Sequence, residues 1–318
     1  MTKQAPLSLC IAVLACIAVP AWADTVYSFS SVIDPNDPTF TQLLGINNSG
    51  TIAGYFGSGA AGHPNQGFVL TLPNSYTSEN FPNSAQTQVV GINGVGDTAG
   101  FYIDNGGVNH GFTDIGGVFN TVDDPNSTSV LTQLLGINNS DEVAGYWQNA
   151  GGTQFAFTEK GGMFTGLGSL LPTNTSAQAT DVNNGGNVSG FFTDAGGITH
   201  GFLLVGGVET TIDFPGATLT EALGLNNQGQ LSGFYLDAMG NMHGFVDSNG
   251  MFQSIDDPNG VGTTTVNGIN DLGQVVGFYV DGNGNTIGFA ATTPEPRSAT
   301  LVLLGMVLWA LPLIRQRG

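Results

Sequence analysis

The chain has 318 residues, of which 49 are glycine and only 9% are charged, and its formal net charge is −19. An apolar content of 41% argues against intrinsic disorder, and the abundant glycine is typical of a protein with many tight turns. Binding to a nucleic-acid backbone requires clustered lysine and arginine. Lys160 is the only such residue between positions 24 and 293, so nucleic acid is excluded as a partner.

The first 23 residues have the pattern of a secretory signal peptide. A basic start and an apolar stretch precede Ala21 and Ala23, which form a small-x-small cleavage site in front of Asp24. Acylation at Cys16, as in a lipoprotein, is a weaker alternative because the apolar run continues past it. Cys10 and Cys16 are the only cysteines, so the exported chain is expected to have neither disulfides nor thiol chemistry. We therefore expect cleavage after Ala23 and export by the Sec machinery.

One phrase recurs six times through the middle of the chain. It begins as "GINNSGTIAGYF" at 45–56, and the first asparagines of successive copies are spaced 46, 45, 45, 43 and 44 residues apart. These asparagines are Asn47, Asn93, Asn138, Asn183, Asn226 and Asn270. Each copy contains four short strand-like runs separated by Asn-Asn-x-Gly or Gly-Gly turns. Four strands in about 45 residues is the period of a β-propeller blade.

Two adjacent aromatic residues follow a glycine in every copy, as in Tyr55-Phe56 after Gly54. Neighbouring residues on a strand point to opposite faces, so both faces of each sheet must be covered. Blades packed around a ring provide that cover. We also expect the glycine before each pair to permit close approach between neighbouring sheets. A further phenylalanine recurs on the third strand of every copy: Phe68, Phe112, Phe157, Phe202, Phe245 and Phe289.

The sixth copy lacks a fourth strand, because it runs directly into residues 294–318. At the other end of the chain, "VYSFSSVI" (26–33) matches the closing phrases "VFNTV" and "MFQSI" of other copies. The sequence therefore predicts an all-β fold: a six-bladed β-propeller of four-stranded blades over residues 24–293, closed by its N-terminal strand. Closure removes free sheet edges. The alternative, a linear solenoid, requires polar caps at both ends.

Residues 294–318 combine Pro294-Glu295-Pro296, an apolar run over 299–314 and a basic end. In this order the parts resemble the PEP-CTERM sorting signal of Gram-negative bacteria. The resemblance implies anchoring in the inner membrane by a transmembrane helix over 299–314, recognition by an exosortase, and removal of the tail. Delivery to the cell surface or exopolysaccharide matrix follows in that family. The alternative is a permanent single-span anchor.

The repeat also resembles the HAF family of extracellular repeats, named for a His-Ala-Phe motif. The matching triplets are His110-Gly111-Phe112, His200-Gly201-Phe202 and His243-Gly244-Phe245. The remaining copies carry Gln66, Phe155 and Ile287 in the histidine position. The resemblance implies a surface-located β-repeat protein and brings no known substrate.

The polar residues that recur in the repeat are interpreted as structural. The three histidines lie on separate blades, so they cannot converge on one metal. The loop "DGNGN" (281–285) is rich in oxygen ligands but departs from the EF-hand pattern, and a turn role is favoured for the four aspartates in that hairpin: Asp104, Asp194, Asp237 and Asp281. A turn role is also predicted for Asp123, Asp213 and Asp256, which precede prolines by two residues. No cofactor is expected, and weak calcium binding stays open.

These patterns predict an exported, non-catalytic protein with a structural or recognition role. Exopolysaccharide or another envelope component is the expected partner outside the cell. The alternative is a propeller enzyme that acts on extracellular polysaccharide, with or without calcium. Its site would lie where the copies differ, in the loops at 57–66 and 167–178.

Overall fold

The structure is a computed structural model, and it describes residues 27–127 and 131–293. These residues form 24 strands, arranged as six four-stranded antiparallel sheets. In five sheets the strands follow one another in chain order, and the sixth contains the two ends of the described chain. The architecture is a six-bladed β-propeller, as the repeat predicts. No helix suited to crossing a membrane occurs in this part of the chain.

Each blade runs from an inner strand, which lines the central channel, to an outer strand. The first blade contains β2 (Thr41–Ile46), β3 (Thr51–Phe56), β4 (Gln66–Thr71) and β5 (Ser75–Ser78). The second contains β6 (Gln86–Ile92), β7 (Thr98–Ile103), β8 (Asn109–Ile115) and β9 (Val118–Val122). The third contains β10 (Thr132–Ile137), β11 (Val143–Gln148), β12 (Gln154–Lys160) and β13 (Met163–Gly166).

The other three blades follow the same order. The fourth contains β14 (Asn174–Val182), β15 (Val188–Asp194), β16 (Thr199–Val205) and β17 (Val208–Ile212). The fifth contains β18 (Leu219–Leu225), β19 (Leu231–Leu236), β20 (Met242–Ser248) and β21 (Met251–Ile255). The sixth contains β22 (Thr265–Ile269), β23 (Val275–Val280), β24 (Thr286–Thr292) and, as its outer strand, β1 (Ser28–Val32).

The N-terminal strand β1 closes the ring. It pairs antiparallel with β24, so that Ser28 lies opposite Thr292. Phe29 on this strand packs edge-on against Phe289, with ring centroids 5.4 Å apart. The predicted closure of the sixth blade is therefore confirmed.

The third-strand phenylalanine of each blade is almost completely buried, with no more than 2% of its surface exposed. Its ring covers the glycine opposite it on the second strand. A Cβ atom on Gly54 would come within 2.9 Å of the Phe68 ring and 2.4 Å of the Gln42 carbonyl oxygen. The expected role of these glycines between sheets is therefore wrong, because they make room for a ring inside one blade.

Close approach between blades depends on two other sets of glycines. On the first inner strand, a Cβ on Gly45 would meet the Val90 carbonyl oxygen of the next blade at 2.6 Å. The middle residue of the His-Gly-Phe triplets also faces the next blade. There a Cβ on Gly244 would lie 2.5 Å from Cγ2 of Val266.

In the third blade the middle residue of the triplet is larger than glycine, and the residues that face it on the next blade are small. Ala156 replaces the triplet glycine, and Ala177 and Ala179 lie on the inner strand of the fourth blade. These three alanines belong to one buried cluster. Small residues on the fourth blade thus accommodate the extra methyl group on the third, as dense packing requires.

Candidate functional site

Six asparagines form a closed hydrogen-bonded ring at one end of the central channel. Each Nδ2 donates to the main-chain carbonyl oxygen of its counterpart in the next blade at 3.0–3.2 Å, and the ring closes from Asn270 to Asn47. Each Oδ1 accepts main-chain N–H groups of its own turn, as Asn183 does from Gly185 and Asn187. The structural role predicted for the recurring polar residues is confirmed for these asparagines, and the structure adds a contact between blades that the sequence does not indicate.

The residue after each ring asparagine forms a second, exposed ring that is interrupted at one blade. The side chains of Asn48, Asn139, Asn184, Asn227 and Asp271 each accept a main-chain N–H of the preceding blade. Gly94 stands at the sixth position and has no side chain to accept the corresponding bond from Asn48. The side chains of the two rings lie close together and make the surface at this end of the channel polar.

A cavity of about 320 Å³ occupies the central channel. Its lining repeats from blade to blade, with a polar level formed by Gln42, Gln88, Gln133, Gln178 and Glu221. The next level is mostly aliphatic and contains Leu44, Val90, Leu135, Thr180, Leu223 and Asn267. Among the described residues that line the cavity, only Asp181 and Glu221 carry ionisable side chains. The channel therefore departs from its repeat at two carboxyl groups.

Asp181 takes the place of the inner-strand glycine and links two blades. Its Oδ1 accepts the N–H of Val182 at 2.8 Å, and its Oδ2 accepts the N–H of Leu225 in the fifth blade at 2.9 Å. Burial raises the pKa of Asp181 to about 6, against the opposite effect of these two bonds. With both oxygens occupied, this carboxyl is a structural tie between the blades.

Glu221 takes the place of the glutamine found in four blades. Those glutamines have hydroxyl partners where the second strand supplies tyrosine: Tyr55 donates to Gln42 at 2.9 Å and Tyr146 to Gln133 at 2.7 Å. Opposite Glu221 the register places Phe234, which has no hydroxyl. The Glu221 carboxyl makes no hydrogen bond or ion pair within residues 27–127 and 131–293. Burial raises its pKa to about 7.

A second cavity, of about 540 Å³, lies between the fifth and sixth blades. It shares Glu221, Leu223 and Asn267 with the central channel, so the free carboxyl lies where the two spaces meet. The other walls are mainly apolar and include Phe234, Leu236, Met242, Phe278 and Val280. Thr265 stands in this cavity at the position that holds glutamine in four other blades, and its shorter side chain leaves more room.

At the opposite rim from the asparagine rings, three histidines bridge pairs of aspartates. The Nδ1 atoms of His110, His200 and His243 lie 2.7–2.9 Å from Asp123, Asp213 and Asp256. Their Nε2 atoms lie 3.5–3.7 Å from Asp104, Asp194 and Asp237. The turn role predicted for Asp123, Asp213 and Asp256 is therefore wrong, because they pair with histidine across two strands.

The turn after the outer strand is shaped instead by the residue that follows the histidine-paired aspartate, or by its equivalent after β1. Asp34, Asp124 and Asp257 accept main-chain N–H groups two residues further on. The turn role predicted for Asp104, Asp194, Asp237 and Asp281 is confirmed, since each accepts N–H groups two and four residues on. Hydrogen bonds from the residue four positions later are the main cause that lowers the pKa of each of these four. In the described ranges no group of three or more His, Cys, Asp or Glu side chains could hold a metal ion.

The residue in the histidine position changes together with its neighbour on the outer strand. In the first blade Gln66 accepts a hydrogen bond from Asn80 at 3.0 Å. In the sixth blade the paired register ends with Val32 opposite Gly288, and the next residues along the two segments are Ile33 and Ile287. The residue in the histidine position and the residue just after the outer strand are thus both polar or both apolar within a blade. This match is visible in the sequence and is a further signal that the N-terminal strand closes the sixth blade. In the third blade Phe155 at this position stacks on Trp147, with ring centroids 4.3 Å apart.

The residues predicted to be recognised or cleaved lie outside the described ranges. They are Ala21, Ala23, Asp24, Pro294, Glu295 and Pro296, together with the apolar run 299–314. Of the two variable loops, 57–66 places His63 Nδ1 3.1 Å from Asp37, and 167–178 buries Leu167 and Leu171. The unpartnered carboxyl lies on an inner strand rather than on either loop.

The strand pairing defines the class of this protein as a six-bladed β-propeller. No protein-family model and no curated protein sequence matches the chain. Among solved structures it is similar to AofleA from Arthrobotrys oligospora, at 16% identity over 82% of this chain and 81% of that one, with a TM-score of 0.48. Aleuria aurantia lectin matches at 10% identity over 81% and 97%, with a TM-score of 0.49. Trypanosoma rangeli sialidase matches at 8% over 89% and 62%, with a TM-score of 0.47.

Proposed function

We propose that this chain is an exported propeller, sorted through its C-terminal tail by an exosortase, with a recognition or structural role at the cell surface or in the exopolysaccharide matrix. The position of the two chain ends supports this proposal most directly. The strands of the described chain all lie between Ser28 and Thr292, which face each other in the sixth blade. Removal of residues 1–23 and of the tail from Pro294 onward therefore leaves every described strand pair intact.

The charge of the exported domain limits its partners. Residues 24–293 carry 23 acidic side chains and a single lysine, a formal charge of −22. Such a surface repels anionic polysaccharide and anionic lipid headgroups unless divalent cations bridge them. Neutral or cationic components of the envelope and matrix are the partners that this charge favours.

Replacing Pro294, Glu295 and Pro296 by alanine tests the sorting role. We expect the variant to stay in the membrane fraction at full length, because the exosortase no longer recognises the tail. Thr293→Ala, one residue upstream, is the matched control and should be processed and released as the natural chain is. Fractionation followed by intact mass measurement gives the result. Unchanged processing of the triple variant would contradict the proposal.

A second candidate function is cleavage of extracellular polysaccharide, and Glu221 is the observation that favours it. With its pKa raised to about 7, about half of the Glu221 carboxyl groups carry a proton at pH 7, and a general acid needs such a proton. The assay is the release of reducing ends from a panel of neutral and charged glycans, with and without calcium. Turnover that disappears in Glu221→Gln would establish an enzyme and overturn the non-catalytic role. Glycan binding without turnover would support recognition.

A further inference from the structure

The cleft between the fifth and sixth blades combines apolar walls with one free carboxyl. Phe234 and Phe278 come from adjacent blades, and Leu236, Met242 and Val280 complete the walls. Its volume of about 540 Å³ falls within the range of pockets that hold small organic molecules. The cleft is therefore large enough for a ligand with an apolar body.

Glu221 is the ionisable side chain among the described residues that line this cleft. This side chain is partly buried and its carboxyl has no partner among the described residues, although withdrawing a carboxylate from water without a hydrogen bond or counter-charge is costly. No cationic side chain lines either cavity within the described ranges, and Lys160 lies on the third blade. A cation supplied by a ligand would satisfy the carboxylate, and the excess negative charge of the domain attracts cations.

The aromatic rings add a second interaction with a cation. Phe234 is the direct cross-strand partner of Glu221, and Phe278 is that of Thr265. An ammonium group close to an aromatic face is attracted by the ring's negative face. From this arrangement we infer that the cleft between blades five and six binds a small organic ammonium ion, with its apolar body against the cleft wall and its ammonium group on Glu221. The inference concerns the folded propeller and does not depend on sorting or on the proposed partner in the matrix.

Three probes with the same apolar body separate charge from shape: phenylbutylamine, phenylbutanol and phenylbutyrate. The protein is the domain of residues 24–293, which contains every described strand of the closed ring. The measurement is isothermal titration calorimetry at a pH above the raised pKa of Glu221, where the carboxyl is ionised and the amine is still charged. We expect saturable binding of one amine per domain. The alcohol should bind roughly ten- to a hundredfold more weakly, because it makes no charged contact, and the carboxylate more weakly still.

Glu221→Gln places in the fifth blade the residue that four other blades carry at this position, so its fold should be retained. We expect it to reduce the amine's affinity to that of the alcohol and to leave the alcohol's affinity unchanged. Glu209→Gln, on the outer strand β17, removes the same charge at a distance and should bind the amine as the natural domain does. Thr265→Gln narrows the cleft and should weaken the amine and the alcohol together, with near-ultraviolet circular dichroism confirming its fold.

Four results would overturn the inference. They are no saturable binding of the amine, equal affinity for all three probes, unchanged amine affinity in Glu221→Gln, and an equal loss in Glu209→Gln. The first three show that the cleft does not recognise an ammonium group, and the fourth shows that attraction comes from the overall charge. None of these results depends on the Pro294-Glu295-Pro296 experiment.

Discussion

The ring of asparagines predicts that one substitution weakens a turn and a contact between blades at the same time. Asn183 is the best member to change, because its Nδ2 is paired with the next blade alone, while several others also contact a side chain of their own turn. In Asn183→Ala the turn loses its side-chain acceptor and the Asn226 carbonyl oxygen loses one of its two donors, keeping the Gly229 N–H. The turn of the fourth blade and its contact with the fifth blade should both loosen.

The structure gives the expected size of this effect. The Asn183 side chain is 6% exposed, accepts N–H groups at 2.9 and 3.1 Å, and donates to the Asn226 carbonyl at 3.1 Å. At about 1 kcal/mol for each net hydrogen bond, the free energy of unfolding should fall by about 3 kcal/mol. For a domain of this size that corresponds to a decrease of roughly 6–12 °C in Tm.

The neighbouring residue provides a matched control. Asn184 is exposed, and its side chain accepts one bond from the preceding blade, from the Asn139 N–H at 2.9 Å. Asn184→Ala should therefore cost about 1 kcal/mol or less, and the glycine that the second blade carries at this position, Gly94, shows that the ring tolerates the loss. Thermal unfolding followed by circular dichroism, with urea denaturation, compares both variants with the natural domain.

Asn183→Asp separates the two roles of the side chain. The carboxylate keeps the acceptor for the turn but loses the donor and faces the Asn226 carbonyl oxygen. We expect a loss of stability between those of Asn184→Ala and Asn183→Ala. The reasoning would be refuted if Asn183→Ala unfolds within 1 kcal/mol of the natural domain, or if both alanine variants lose the same amount.

Two further predictions concern packing and pH. Gly244→Ala would bring a methyl group to 2.5 Å from Val266 and should cost about 1–3 kcal/mol by overpacking. Gly201→Ala, whose Cβ would meet its nearest atom at 3.0 Å, should cost less, and equal midpoints in urea would contradict this account. Desolvation lowers the pKa of His243, but the two aspartates that contact it, Asp256 and Asp237, outweigh that effect and raise this pKa above its usual value. The ion pairs of His243 therefore stabilise the fold fully below about pH 6.5, and this stabilisation is lost as the pH rises through the folded pKa. The difference in Tm between the natural domain and His243→Gln should therefore be larger at acid than at alkaline pH, and a pH-independent difference would exclude the ion pairs as its source.

Local sequence patterns were sufficient to predict the blades. The spacing of Asn47 and its counterparts predicts six units, and the aromatic pair Tyr55-Phe56 predicts that both faces of a sheet are covered. The match between "VYSFSSVI" and the closing strands predicts the pairing of β1 with β24, which the register from Ser28 to Thr292 confirms. These inferences succeed because alternation along a strand and the residues of a tight turn are local properties.

Contacts between strands and blades could not be predicted in the same way. The proline two residues after Asp123 predicts a turn role, whereas the partner of Asp123 is His110, thirteen residues away on a neighbouring strand. Glu221 resembles any other acid in the sequence. It stands out only when the register places Phe234 opposite it, where tyrosine satisfies the equivalent glutamine in two other blades.

The sequence by itself determined the number of blades, their four strands and the strand that closes the ring, because each is written in the spacing and alternation of residues along one segment. The tertiary structure alone decided that Asn270 bonds to Asn47 across 223 positions, and that the Glu221 carboxyl, at the edge of a cleft, has no partner among the described residues. Both depend on how the circle closes. A hydrogen-bond partner is set by distance in space, and in a closed ring residues far apart in the chain become neighbours.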